Sequence, residues 1–100
     1  MFYLINRFTV HGDTDEFLAI LAEINAYMKT QPGFRFHRLY RSVNEPNVFV
    51  ETAEWEEREL HKAAISSDRF LEPVKKIRQH ATAEPGPFEL VRESTAAAVD

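Results

Sequence analysis

Residues 47–64 read NVFVETAEWEERELHKAA, and the fold depends on where that run divides. Val48 to Trp55 alternates as a pleated strand does. Glu56 to Ala64 is acidic at its start and rich in helix formers. A strand therefore passes at once into a helix. On the strand, Phe49, Glu51, Ala53 and Trp55 share one face; Val48, Val50, Thr52 and Glu54 share the other. The only tryptophan of the chain thus stands on the same face as a carboxylate. A glutamate in an apolar strand is costly to bury alone, so Glu51 is solvated, paired or part of a lined pocket.

Upstream, Phe2–Val10 (FYLINRFTV) predicts a strand, with Asn6 the odd residue on its more apolar face. Asn6 is either an amide satisfied by backbone or a pocket amide that holds a ligand oxygen. Asp13 with Glu16 reads as a capping box. Phe17, Leu18, Ile20, Leu21, Ile24, Tyr27 and Met28 then recur at helical spacing. That helix must stop before Pro32, and Gly33 supplies the turn. FRFHRLYR, 34–41, alternates again. Its basic residues suit a charged edge strand or an anionic ligand. Asn44-Glu45-Pro46-Asn47 forms the hairpin loop.

Downstream, Ile65-Ser66-Ser67-Asp68 offers a helix cap, and Phe70, Leu71, Val74 and Ile77 carry a helical stripe. Pro73 interrupts that stripe, which predicts two short helices with a break between Phe70 and Pro73. Glu84-Pro85-Gly86-Pro87 reads as a rigid turn before a last strand, Phe88 to Arg92. The domain is expected to span 1–93, with a loose tail at 94–100.

The order β-α-β-β-α-β is the split βαβ, or ferredoxin-like, arrangement of the α+β class. It predicts one four-stranded antiparallel sheet with helices over one face. Apolar residues on both faces of the strands predict that a second copy covers the other face, as a homodimer.

One hundred residues make a single domain, and an apolar fraction of 44% suits a folded one. A net charge of −4 argues against a nucleic-acid partner. The lack of cysteine removes disulfides, thiolate metal sites and thiol nucleophiles, and suits a cytoplasmic setting. No apolar run approaches the roughly 18 residues of a membrane span, and the N-terminus has no signal-peptide order. His11, His37, His61 and His80 show no metal-ligand spacing, and neither a phosphate loop nor a nucleophile motif is present.

The element order, the PGF turn at Pro32-Gly33-Phe34, the AEWE segment at Ala53 to Glu56 and the SSDRF segment at Ser66 to Phe70 resemble the antibiotic biosynthesis monooxygenase (ABM) family. The resemblance covers roughly residues 1 to 93. It implies a dimeric α/β barrel. It also implies cofactor-free oxygenation of an aromatic polyketide or quinol by molecular oxygen. In that branch an asparagine precedes a strand-end tryptophan by four residues. Trp55 matches the tryptophan, and Glu51 stands in place of the asparagine. In the haem-degrading branch, Asn6 matches a first-strand asparagine. The other two positions of that branch fall, without gaps, on Ala64 and Val74.

The pocket this implies draws on Asn6, Glu51, Trp55, His37 and His61 for catalysis. Tyr40, Phe49, Phe70 and Arg38 would hold the substrate. Glu51 is the candidate base, with His37 and His61 as rivals. No cofactor is expected, haem being the alternative. A non-oxidative cyclase or ligand carrier is the other reading.

Overall fold

The computed structural model describes residues 1–98. Its elements are β1 (Phe2–Val10), α1 (Thr14–Met28), β2 (Phe34–Arg41), β3 (Val48–Trp55), α2 (Arg58–Ala64), α3 (Asp68–Ile77) and β4 (Ala81–Phe88). The strands form one antiparallel sheet in the order β2-β3-β1-β4. The run 47–64 divides as expected, with β3 ending at Trp55 and α2 starting at Arg58.

Local chemistry sets the boundaries. Asp13 caps α1, its side chain accepting from the Glu16 amide at 2.8 Å. Ser67 caps α3 by accepting from the Arg69 amide. Gly33 takes φ +85°, and a Cβ there would run into the Leu60 side chain. The close approach of this turn to α2 thus needs glycine.

Two expectations fail. The break between the short helices falls at Ile65–Ser67, and α3 runs unbroken through Pro73. Pro73 removes a single intrahelical bond there, and its ring is buried. The last strand is Ala81–Phe88, and Glu89 to Arg92 adopts no regular structure. The expected Glu84–Pro87 turn is strand. β4 pairs only with β1, so it is an edge. Pro85 and Pro87, two apart, place both missing N–H groups on the same side, and an edge strand tolerates this on its free side. Of the expected tail, residues 94–98 are exposed and irregular. Val99 and Asp100 lie outside the described residues.

Register puts Phe2, Leu4, Asn6 and Phe8 of β1 beside Trp55, Ala53, Glu51 and Phe49 of β3. This face lies under the helices. Phe17 of α1 is fully buried against it, its ring centroid 5.1 Å from Phe8 and 5.4 Å from Phe49. The Tyr27 hydroxyl donates to the Ala64 carbonyl at 3.0 Å and ties α1 to the end of α2. The helices cover only this face. The other presents Ile5, Val50, Phe36 and Tyr40, the last 51% exposed. Among the described residues no helix is long and apolar enough to cross a membrane.

Candidate active site

Sheet and helices do not close completely on one another. Between them lies a cavity of about 540 Å³, within the usual range for small-molecule sites. Leu4, Phe8, Leu21, Ile24, Met28 and Ile77 make much of its wall apolar. Polar groups enter at a few points only.

The main polar group is built on the middle of the sheet. Asn6 and Glu51 are paired across β1 and β3, and the Asn6 amide nitrogen donates to Glu51 Oε1 at 3.3 Å. His37 comes from β2, where it sits beside Ala53. Its Nε2 lies 2.8 Å from Glu51 Oε2. One carboxylate therefore bridges an amide and an imidazole. Asn6 and Glu51 are buried, and the His37 side chain is only 16% exposed. Among the described residues no arginine pairs with Glu51. Arg7 pairs with Glu45 and Glu84, and Arg38 lies over the Phe36 ring.

Trp55 and His61 form a second group. Trp55 is fully buried, edge-on to Phe34 at 5.5 Å and to His61 at 5.4 Å. Phe34 reaches it through a bulge. Phe34 pairs with Trp55 and Phe36 with Glu54, so β2 carries one extra residue there. Simple alternation would have put Phe34 on the face of Phe36.

Four buried polar atoms have no hydrogen-bond partner among the described residues: Asn6 Oδ1, Asn25 Oδ1, Trp55 Nε1 and His61 Nε2. All four residues line this one cavity. Buried polar atoms are normally paired, so their clustering here marks a place built to meet a polar ligand.

Burial pushes the His61 imidazole below the ordinary histidine value of 6.5, nearby Arg58 adds to this, and Glu51 opposes it. The unfolded chain therefore binds a proton at His61 more readily than the folded one. Stability from this site is complete above pH 6.5 and is lost as pH falls from there toward the lower folded value. Urea midpoints are expected to drop as pH falls below about 6.5, and His61→Gln to flatten that dependence. An unchanged slope in the variant would assign the effect elsewhere.

Of the residues expected at the site, the structure brings Asn6, Glu51, Trp55, His37, His61 and Phe70 to the cavity. It does not bring Tyr40, Arg38 or Phe49 there. Tyr40 and Arg38 pair with Val50 and Thr52 on the opposite face of the sheet. Phe49 is a core residue, 3% exposed, held between Phe17 and the Arg41 guanidinium. Asn25, Phe34 and Arg78 were not foreseen. Asn25 had a legible signal, since it stands within the apolar stripe of Leu21, Ile24 and Met28.

Ala64 is buried in the core and Val74 lines the cavity, so two of the three positions of the haem branch are apolar. Among the described residues no group of three His, Cys, Asp or Glu side chains could hold a metal ion.

A family model described as antibiotic biosynthesis monooxygenase matches residues 1–76. The chain is 36% identical to deoxynogalonate monooxygenase of Streptomyces nogalater over 84 residues, which are 84% of this chain and 71% of that protein. It superposes on the crystal structure of SnoaB, a cofactor-independent oxygenase from Streptomyces nogalater, with a TM-score of 0.88. That match has 33% identity and covers 92% of this chain and 94% of SnoaB. A putative antibiotic biosynthesis monooxygenase from Nitrosomonas europaea shares the fold at 15% identity and a TM-score of 0.77, covering 92% of this chain and all of its own.

Proposed function

This chain belongs to the antibiotic biosynthesis monooxygenase family, and on that premise we propose that it oxygenates an electron-rich aromatic ring of the polyketide or quinol type without metal or flavin. The observation that carries this is the Glu51 carboxylate held at the cavity wall between Asn6 and His37. It gives a mostly apolar cavity a paired proton acceptor.

The reaction balances with no added reductant. A phenol with a free para position and one dioxygen give a para-quinone and one water. The Glu51–His37 pair takes the phenolic proton, which raises the electron density of the ring. The phenolate passes an electron to dioxygen, and the two radicals join at the para carbon. The O–O bond then breaks. One oxygen stays as the new carbonyl, and the other leaves as water, taking the proton that the pair returns and the one lost from the para carbon. Apolar walls at Leu4, Leu21, Ile24 and Val74 keep bulk water from the anion. Trp55 offers its indole N–H to a ring oxygen.

In this reading the uncovered sheet face is closed by a second copy, making a dimeric barrel. Exposed Phe36 and Tyr40 and half-buried Ile5 and Val50 support that arrangement. Light scattering should give about twice the 11.6 kDa chain mass, and a monomer at micromolar concentration would contradict it. A reducing cytoplasm is the proposed setting, supported by the absence of cysteine.

The test of function is oxygen uptake by chelator-treated protein given 1,5-dihydroxynaphthalene. Uptake with formation of the hydroxynaphthoquinone is expected. No uptake with any electron-rich phenol, despite binding, would favour a non-oxidative role.

A further inference from the structure

We infer that the cavity reads the oxidation state of its ligand: it binds a hydroxylated aromatic ring more tightly than the quinone that oxidation makes of it. This rests on the cavity being the site of aromatic oxygenation.

The fixed point is Asn6. Its amide nitrogen donates to Glu51 Oε1 at 3.3 Å. A carboxylate oxygen offers lone pairs, so the nitrogen of the amide must face it. The orientation of the amide is thereby set, and Asn6 Oδ1 is left buried without a protein partner. It can only accept. Asn25 Oδ1 on α1 and His61 Nε2 on α2 are further buried atoms without partners on the same cavity. A neutral imidazole has one nitrogen free to accept. Of the four buried atoms only Trp55 Nε1 is restricted to donating; Arg78, the other donor-only group on the cavity, is exposed.

On the buried wall Asn6 Oδ1 is thus a fixed acceptor, while Asn25 and His61 can meet either kind of group. A ring hydroxyl satisfies either kind, because it carries a hydrogen and lone pairs. A quinone oxygen carries lone pairs alone, so it satisfies Trp55 and no acceptor. Against Asn6 Oδ1 it sets lone pair against lone pair and leaves a buried acceptor unmet. Sites built to hydrogen-bond a hydroxyl reject analogues that lack it by large factors. Turnover then weakens the hold on its own product, which helps the quinone leave.

The experiment is anaerobic equilibrium dialysis of wild-type protein with 1-naphthol and, separately, with 1,4-naphthoquinone, the quinone that its oxidation makes. The chain has no cysteine for the quinone to alkylate. The hydroxylated ligand is expected to bind about tenfold tighter or more. Asn6→Leu should bring the two affinities within about threefold by removing the fixed acceptor. Asn25→Leu, on a helix that tolerates leucine, should narrow the gap less. Equal affinities, tighter quinone binding, or no binding of either ligand would overturn the inference. So would a gap that both variants leave unchanged. Oxygen uptake is read on parallel samples. Uptake with equal affinities removes this inference and leaves the proposed function. Discrimination without uptake does the reverse.

Discussion

Glu51→Gln lowers turnover by roughly 10²-fold or more while the fold and ligand affinity persist. The two side chains have nearly the same size. A glutamine oxygen can still accept from the Asn6 amide, and its nitrogen can still face His37 Nε2, so both contacts of 3.3 and 2.8 Å have a replacement. What the amide cannot do is take a proton at neutral pH. Circular dichroism and ligand dialysis check the first half, and oxygen uptake the second. A variant with full activity would remove the base role from Glu51 and leave His37 or His61 to hold it. His37→Gln separates these: it should reduce turnover too, because the imidazole touches the carboxylate.

Phe17→Ala is expected to cost about 4 kcal/mol of stability. Phe17 is one of two fully buried large side chains and joins Phe8 and Phe49 in one aromatic cluster. Truncation loses the burial of the ring and opens a cavity that sheet and helix cannot collapse to fill. Small domains have about 5–15 kcal/mol in all, so the variant should lie near its folding limit. The urea midpoint should fall by roughly 2 M. A fall under about 0.5 M would mean that α1 re-seats on the sheet.

Most of the fold could be read from the sequence, because period and punctuation agree. β1, β2 and β3 alternate, α1 has its cap and its stripe, and Gly33 marks a turn that only glycine fits. The errors came from proline. Read locally, Pro73 and the Pro85-Gly86-Pro87 run break structure. In the fold, Pro73 is packed into α3 and the other two lie on a free sheet edge, which no local rule reveals.

The site was legible on one strand face and less so beyond it. Parity placed Glu51 and Trp55 together, and Asn6 follows from pairing β1 with β3. The contact of His37 with Glu51 depends on the register of β2, which a bulge alters. Tyr40 and Arg38 went astray on that same strand, since they share a face with Phe36 and not with His37. Asn25 was legible as an amide inside the apolar stripe of α1, though such a stripe is read first as core.

In the proposed reaction this cavity inserts one atom of dioxygen into an aromatic ring with no cofactor. The most direct measurement is turnover of 1,5-dihydroxynaphthalene under isotope-labelled dioxygen by chelator-treated, flavin-free protein, with mass spectrometry of the product. One labelled atom is expected in each quinone and the other in water, with no accumulation of hydrogen peroxide. Unlabelled quinone, its new oxygen taken from water and two peroxides formed per quinone, or no quinone at all, would contradict it.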